Sequence, residues 1–393
     1  MNKLLPNLPI IIVVAILTGC ALLWGTGNLS TYPNKIEVQQ SSNDSLEDFY
    51  NTSQEIAKTN NQSDVTFLAV GDIMLSRNVA GQIAKNGKDG NYPFRKLSEE
   101  LASTDFNFGN LESPFSGDDS FNPSGSLVFN APTWTQSGLI NANFKVLNLA
   151  NNHAFDQGLK GLLYTKKLLE EDMSIATTGV GNNLDEAWVG KVYTAKGVKI
   201  GFIGASYATL NDGGVATNNN VARIEDTERL VKSINELKTR SDFIVVTMHA
   251  GTEYTRSPNS AQTEFAHAAI DAGADIVIGA HPHWIQTFET YKGKQIFYSL
   301  GNFVFDQEWS QDTKEGLMLK VSIKKDGACA ANAIAFGAAC GSDVQGNPVP
   351  ATIKQIELIP IIIEGYSTPR LATEAEKQNI LKKIGATTHV ITP

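Results

Sequence analysis

Short apolar runs alternate with amphipathic stretches of helical length between about residue 64 and residue 324. Such runs are typical of buried strands, and the stretches between them have the period of helices that pack on a sheet. The alternation predicts an α/β protein with a buried mixed sheet and helices on its faces. The predicted strands are 65–70, 105–108, 146–149, 175–178, 199–203, 243–247, 276–278, 295–298 and 317–323, and the predicted helices are 93–102, 157–172, 227–239 and 260–272.

Side chains that can bind metal ions are concentrated directly after these apolar runs. Four of the six histidines lie in such places. Ligand groups of an α/β sheet gather at the carboxyl ends of its strands, so these side chains are expected to meet. The segments concerned are 70–72, 109–112, 151–153, 249–254, 279–283 and 299–302.

The six segments together offer carboxylate, imidazole and amide donors. A divalent cation needs several such donors from different parts of the chain, and this mixture suits Mn, Fe or Zn better than Ca. His281 and His283 lie on either side of Pro282, which restricts the backbone and lets both rings point into one cavity. A lone histidine or aspartate at a strand end is more often a cap, so the set as a whole carries the prediction of a metal site.

In this order, the six segments resemble the CapA family of capsule and poly-gamma-glutamate synthesis proteins, and more distantly the calcineurin-like metallophosphoesterases. The resemblance runs from about residue 64 to residue 306. It implies a metallophosphatase-like fold, which is a four-layer αββα sandwich of mixed β-sheets flanked by helices. It also implies one or two bound metal ions, with ligands at Asp72, Glu112, Asn152, His249, His281 and His283.

The same resemblance implies roles for residues beside the ligands. His153 is expected to be a general acid, steadied by Asp156 or by the first aspartate ligand. Asn110 is expected close to the ligands. Glu253 has two interpretations, a partner that fixes His249 or a plain turn residue. Asn302 likewise has two, a site residue or a turn residue at a strand end.

One position departs from the phosphoesterase pattern. Those enzymes usually place a histidine two residues after the first aspartate, whereas this chain has Met74. A thioether is a poor ligand for a hard cation, so the first metal site is expected to be one ligand short. Asn110, Asn302 or water could complete it; alternatively the protein binds a single ion, or none tightly.

The amino terminus has the pattern of an export signal, with Lys3 followed by an uncharged apolar run over 8–17. Residues 17–20 (Leu-Thr-Gly-Cys) resemble a bacterial lipobox, in which Cys20 would be acylated. The alternative is an uncleaved signal anchor, because the apolar stretch 8–24 is just long enough to span a bilayer. Either interpretation predicts a membrane-tethered protein that faces the extracytoplasmic side.

Four parts of the chain follow from these patterns: a signal peptide or anchor over 1–24, a polar linker over 25–63, a CapA-like domain over 64–365 and a C-terminal tail over 366–393. Besides Cys20, the sequence contains Cys329 and Cys340. In an oxidising compartment these two are expected to form a disulfide, and the alternative is a pair of free buried thiols.

The charge balance limits the possible partners. Thirty-two lysines and arginines against 41 aspartates and glutamates give a net charge of −9, which opposes a broad nucleic-acid-binding face. Three functions remain open. The resemblance favours a surface subunit that supports the synthesis or export of an anionic polymer, such as poly-gamma-glutamate, beside a membrane synthase. The others are a free-standing metal-dependent phosphoesterase or hydrolase of the cell envelope, and a metal-stabilised binding module without turnover.

Overall fold

A computed structural model describes residues 64–207, 218–325 and 350–393. The predicted signal or anchor, the polar linker, Cys20 and the pair Cys329 and Cys340 lie outside these residues. Within the described ranges, no helix combines the length and the apolar character needed to cross a membrane.

Fifteen strands lie in the described residues; nine overlap the predicted runs and six were not predicted. They are β1 (Val65–Ile73), β2 (Phe106–Leu111), β3 (Phe144–Asn148), β4 (Ala176–Thr178), β5 (Lys191–Ala195), β6 (Val198–Ser206), β7 (Phe243–His249), β8 (Ile276–Ala280), β9 (Phe288–Tyr291), β10 (Lys294–Phe297), β11 (Asn302–Val304), β12 (Glu315–Lys325), β13 (Ala351–Glu364), β14 (Thr368–Leu371) and β15 (Val390–Ile391).

The helices lie mostly between these strands. They are α1 (Arg77–Lys85), α2 (Ser98–Ala102), α3 (Ser137–Asn141), α4 (Gly158–Lys167), α5 (Leu184–Ala187), α6 (Thr227–Lys238), α7 (Ser260–Ala272), α8 (Gln311–Lys314) and α9 (Glu374–Lys383). Short 3-10 helices occur at Tyr92–Leu97 and Thr133–Thr135, and α4 continues into a π-helical turn at Leu168–Asp172.

The described strands form two mixed sheets. The first has the order β14-β13-β12-β1-β2-β3-β4, with β11 paired to β1 and β15 paired to β13. Its central strands β1, β2 and β3 are parallel, while β12 and β13 run antiparallel to their neighbours. The second sheet has the order β5-β6-β7-β8-β10-β9, with β6, β7, β8 and β10 parallel.

Three apolar clusters divide the described residues into layers. One packs the first sheet against α1, α3 and α4. The second joins inward-facing residues of the two sheets, for example Phe106 of β2 with Phe202 of β6, whose ring centroids are 6.2 Å apart. The third packs the second sheet against α6 and α7. This order of helix, sheet, sheet and helix confirms the predicted α/β class and its four-layer arrangement.

Local sequence explains why some element boundaries match the predictions. The Asn259 side chain accepts a hydrogen bond from the backbone N–H of Gln262, and the Gln262 side chain accepts one from Asn259. This reciprocal capping satisfies two free N–H groups at the start of α7. Gly273 ends the helix with φ 114°, a left-handed conformation that glycine adopts without steric cost.

The C-terminal segment differs from the prediction. Residues 366–393, expected to be a tail, form β14, α9 and β15, and both strands pair with β13. Ile380 and Leu381 of α9 are buried in the cluster between the sheets. This segment therefore adds to the core of the domain, because β14 extends the first sheet and the apolar residues of α9 are buried between the sheets.

Candidate metal centre

Both sheets deliver polar side chains to one place at the carboxyl ends of their parallel strands. Asp72 lies near the end of β1, and His249 is the last residue of β7 in the other sheet. The two side chains are buried, and Asp72 Oδ1 lies 3.6 Å from His249 Nδ1. The convergence that the sequence predicted is therefore present, and it lies where the two sheets meet.

Close backbone approach at two glycines makes this convergence possible. A Cβ atom on Gly71 would lie 1.8 Å from the carbonyl oxygen of Gly301, which accepts a hydrogen bond from the backbone N–H of Asp72. A Cβ atom on Gly279 would lie 2.0 Å from the carbonyl oxygen of Tyr298. Any larger residue would push these strand ends apart, so the glycines set the position of the side chains that follow them.

Two buried carboxylates form the centre of the site. Asp72 Oδ1 accepts a hydrogen bond from Asn110 Nδ2 at 2.8 Å, and Oδ2 accepts one from the backbone N–H of His281 at 3.2 Å. Burial raises the pKa of Asp72 to about 7 in spite of these donors. Burial, and then the negative charges of Asp72 and Glu253, hold the pKa of Glu112 well above its ordinary value. Without a cation, the two carboxyl groups therefore tend to keep protons.

Neutral imidazoles surround the carboxylates. Burial, and then the nearby histidines, hold the pKa values of His249 and His281 well below the ordinary value. Burial also lowers the pKa of His283 to about 4, against the hydrogen bond to Asn302 that favours its charged form. Neutral rings retain a nitrogen lone pair, which is the form that binds metal ions.

Hydrogen bonds orient two of these rings. His249 Nδ1 accepts from Asn110 Nδ2 at 3.1 Å, so His249 Nε2–H donates to Asn152 Oδ1 at 2.7 Å. His283 Nδ1–H donates to Asn302 Oδ1 at 2.9 Å, which leaves its Nε2 unprotonated. The partner of His283 thus fixes the ring plane and the tautomer for metal binding, whereas a cation at His249 would replace one of the two hydrogen bonds of that ring.

His281 and His283 have unusual backbone conformations. Their φ angles are 101° and 57°, in a region that residues other than glycine rarely adopt. The intervening Pro282 accepts a hydrogen bond from the backbone N–H of Tyr254 through its carbonyl oxygen. The ring centroids of the two histidines are 6.1 Å apart. Backbone strain of this kind collects at functional sites, where the surrounding structure holds it in place.

His153 lies at the rim of the buried centre. Its Nε2 is 3.6 Å from Glu112 Oε1, and its Nδ1 is hydrogen-bonded to Asp156 Oδ2 at 2.7 Å. The ring also stacks on Phe129, with centroids 3.8 Å apart and an interplanar angle of 21°. The predicted pairing of His153 with Asp156 is thus present, and the proton-donor role stays a prediction.

The remaining predicted residues fall into two groups. Asn110 and Asn302 are buried beside the site, and both hydrogen-bond to a histidine there. Asn110 Oδ1 already accepts from Asn148 Nδ2. Glu253, by contrast, is exposed in the turn after β7. Its negative charge contributes to the raised pKa of Glu112.

Met74, the residue two positions after Asp72, is part of the core and not of the metal pocket. Its Sδ accepts a hydrogen bond from the backbone N–H of Ser76 at 3.1 Å, and the side chain is fully buried in the apolar cluster under the first sheet. The position therefore serves the core and the turn before α1, and it supplies no ligand.

Several residues of the site were not predicted from the sequence. Asn148, the last residue of β3, binds Asn110 and the carbonyl oxygen of Ala150. Arg77 is a buried cation paired with Asp306, and its guanidinium lies 4.7 Å from the Phe129 ring centroid. Asn148 could have been recognised because it is a polar residue inside an otherwise apolar run. Nothing in the local pattern marked Arg77 or Phe129.

The residues present fit a divalent cation. Ligand atoms of Asp72, Glu112 and His249 all lie within 4.8 Å of one another. Two ligands about 2.1 Å from one ion lie at most about 4.2 Å apart, so small side-chain adjustments would suffice. Among the described residues, both carboxylate oxygens of Glu112 and the Nδ1 atom of His281 are buried without a hydrogen-bond partner. A buried cation would supply the missing partner, which makes this a divalent metal site by its donor set.

Comparison with known proteins agrees with this arrangement. The family model described as bacterial capsule synthesis protein PGA_cap matches residues 66–307. The chain is 34% identical to the capsule biosynthesis protein CapA of Bacillus anthracis over 296 residues, covering 73% of this chain and 70% of that protein. It is also 34% identical to the PGA biosynthesis protein CapA of Bacillus subtilis over 263 residues, covering 66% of this chain and 67% of that protein.

Among solved structures, a calcineurin-like phosphoesterase of Bacillus subtilis aligns with a TM-score of 0.41 and 12% sequence identity, over 82% of this chain and 96% of that one. The family match covers more than half of the sequence and includes both sheets' contributions to the buried centre. By that match and by its two CapA relatives, this chain belongs to the PGA_cap family of bacterial capsule synthesis proteins.

Proposed function

We propose that this protein supports the synthesis or export of a capsule or poly-gamma-glutamate polymer, and that its buried centre is a metal-dependent hydrolase site. Family membership and the names of the two CapA relatives support the first part. The donor set described above supports the second. The partners would be subunits of a membrane synthase or exporter, and the substrate an anionic polymer or a phosphoester.

The observation that supports a metal ion in this centre is the state of Glu112. Its carboxylate is fully buried, its two oxygens lack donors among the described residues, and the carboxylate of Asp72 lies in the same small pocket. Burying two carboxylates together is costly unless a cation compensates them. A structural core position would instead be filled by an apolar side chain of similar size.

The side chains around the pocket suggest a division of tasks. Asp72, Glu112, Asn152, His249, His281 and His283 would hold one or two ions of Mn, Fe or Zn. A bound ion would supply Lewis acidity toward a phosphoryl or acyl oxygen and make water a stronger nucleophile at neutral pH. As the imidazolium, His153 would donate its Nε2 proton to the leaving group, and the Asp156 carboxylate, which accepts from Nδ1–H, would stabilise the charge of the ring before the transfer.

The test is a metal analysis of the purified protein combined with a hydrolase assay on a generic phosphoester with Mn. Asp72→Ala and His281→Ala should each lose bound metal and hydrolysis. His267→Ala is the matched control, because His267 lies on α7, away from the site, and binds Glu289. Metal content and turnover that stay unchanged in both site variants would refute the proposed centre.

A second candidate is a binding module that holds metal but does not turn over substrate. The observation that favours it is Met74, whose sulfur is committed to Ser76 and leaves the first site one ligand short. Tight, stoichiometric metal binding without hydrolysis of phosphoester or amide substrates would support this candidate. Metal-dependent hydrolysis that disappears in His153→Ala would exclude it.

The polymer role needs a test in cells. A strain that lacks this protein should lose surface polymer and regain it with the wild-type gene. Asp72→Ala should fail to restore it, while His267→Ala should restore it fully. Restoration by Asp72→Ala would show that the polymer role does not require the metal centre.

Tethering outside the cytoplasm is also part of the proposal, on the basis of the amino-terminal sequence. If Cys20 is acylated, Cys20→Ala should abolish labelling by a fatty-acid analogue. If 8–24 is an uncleaved anchor, the same variant should stay in the membrane fraction without a label. Recovery of the wild-type protein only in the cytoplasmic fraction would refute both forms of tethering.

A further inference from the structure

His153 is held on two sides by groups that do not belong to the metal pocket. On its edge, Nδ1 is hydrogen-bonded to Asp156 at 2.7 Å. On its face, the ring lies almost parallel to Phe129 at 3.8 Å. Phe129 is itself 2% exposed, so its position is set by the core beneath it.

Arg77 supports Phe129 from behind. Since the parallel imidazole fills one face of Phe129, the guanidinium 4.7 Å from the ring centroid packs on the other. Arg77 donates to Asp306 and to the carbonyl oxygen of Ser126, and its side chain is 9% exposed. Its φ of 47° is rarely adopted by arginine, which shows that the surrounding contacts force this conformation.

The three side chains therefore form a stack in the order Arg77, Phe129 and His153. Arg77, at one end of the stack, is held by its ion pair with Asp306. A single hydrogen bond to Asp156 allows the imidazole to pivot about that bond. A parallel ring on one face removes this freedom, because any tilt would separate the two rings. The cation on the far side adds an attraction to the face of the phenyl ring, which fixes the middle of the stack.

We propose that Phe129 and Arg77 are positioning residues that keep the His153 imidazole oriented with Nε2 toward the metal pocket. The distance of 3.6 Å from Nε2 to Glu112 Oε1 is the result of that orientation. The proposal deepens the proposed hydrolase function, on which it rests, by naming residues that act through His153. Neither residue is required as a metal ligand.

The first measurement follows ring orientation without using turnover. In the zinc-loaded protein with isotope-labelled histidine, the ring-proton resonances of His153 should be displaced upfield by the ring current of Phe129. Phe129→Leu should return them to ordinary positions, and Phe129→Tyr should preserve the displacement. Phe94→Leu is the matched control, because Phe94 is buried in the same apolar cluster and its ring contacts Phe144 edge-on and Phe303 at a tilt.

The second measurement asks whether the orientation matters for the reaction. Phe129→Leu should lower kcat by about 10- to 100-fold, the effect expected when a catalytic group is misplaced by about 1 Å, with KM and metal content unchanged. Phe129→Tyr should restore kcat, and Phe94→Leu should keep it. A loss of metal or of folded protein in Phe129→Leu, with normal turnover per folded molecule, would overturn the positioning role.

Arg77 is tested with its partner, because its removal alone would leave the Asp306 carboxylate buried and unpaired. The double variant Arg77→Met with Asp306→Asn should broaden or shift the His153 resonances and lower kcat. The single variant Arg77→Lys keeps a cation beside Phe129, so its resonances and kcat should lie between those of the wild type and those of the double variant. If the wild-type protein shows no hydrolysis, the proposed function fails, and the resonance measurement still decides the positioning role. Resonances of His153 that are unaltered in Phe129→Leu would refute it.

Discussion

Replacing Asp72 with asparagine should make the metal-free protein more stable at alkaline pH and less stable in acid. The carboxyl group is fully buried, and burial raises its pKa from the ordinary 3.8 to about 7. In the window from about pH 4 to about pH 7, the folded protein therefore binds more protons than the unfolded chain. The contribution of Asp72 to the free energy of unfolding therefore falls as pH rises through this window and is constant above it.

The size of the effect follows from the pKa shift. The rise of the Asp72 pKa from 3.8 to about 7 corresponds to about 4 kcal/mol of destabilisation above pH 7, which asparagine would avoid. Asparagine has one oxygen instead of two, so either Asn110 or the backbone N–H of His281 loses its acceptor, at a cost of about 1–1.5 kcal/mol. The gain from removing the buried charge is larger than the loss of one hydrogen bond. The free energy of unfolding of Asp72→Asn at pH 8 should therefore exceed that of the wild type by about 2–3 kcal/mol.

The assay is urea unfolding of the purified protein at pH 4 and pH 8, with metal removed by a chelator and then restored. With metal at about 100 times its Kd, the wild-type protein should gain about 2.7 kcal/mol, and Asp72→Asn should gain much less. Asp242→Asn is the control, because Asp242 pairs with Lys325 far from the pocket and its loss should destabilise the protein with or without metal. An Asp72→Asn protein that is less stable than the wild type at pH 8 without metal would refute the reasoning.

Two further predictions concern the ligand set. Met74→His would place a polar ring in the apolar cluster under the first sheet, so it should lower the free energy of unfolding in urea by about 1–3 kcal/mol without raising the bound metal per protein measured by elemental analysis. Met74→Leu should leave the metal content unchanged, and a rise of bound metal in Met74→His would show that this position can supply a ligand. Asn302→Ala removes the acceptor that orients His283, so metal affinity measured by calorimetry should fall about 10- to 100-fold. An unchanged affinity would show that the ring is held by other contacts, such as Phe305.

Local patterns were sufficient for most of the architecture. The predicted strand 243–247 and the predicted helix 260–272 correspond to β7 and α7, because apolar periodicity and capping act over a few neighbouring residues. Helix α1 was missed although Val79, Ala80 and Ile83 have the spacing of one buried helix face. Helix α9 was also missed, although Thr373 and Glu376 form a reciprocal cap whose spacing is visible in the sequence.

For the candidate site, the sequence predicted the chemistry of the donors but not the packing around them. Donor types and strand ends can be recognised locally, so side-chain chemistry located the segments that contain Asp72, Glu112 and His249. The resemblance to a known family then implied that these residues are ligands. The stack of Arg77 on Phe129 could not be found in this way, because its members are distant in the chain and unremarkable alone. Ionisation also belongs to the folded protein: a carboxylate has a raised pKa only after two sheets have closed over it and removed its water.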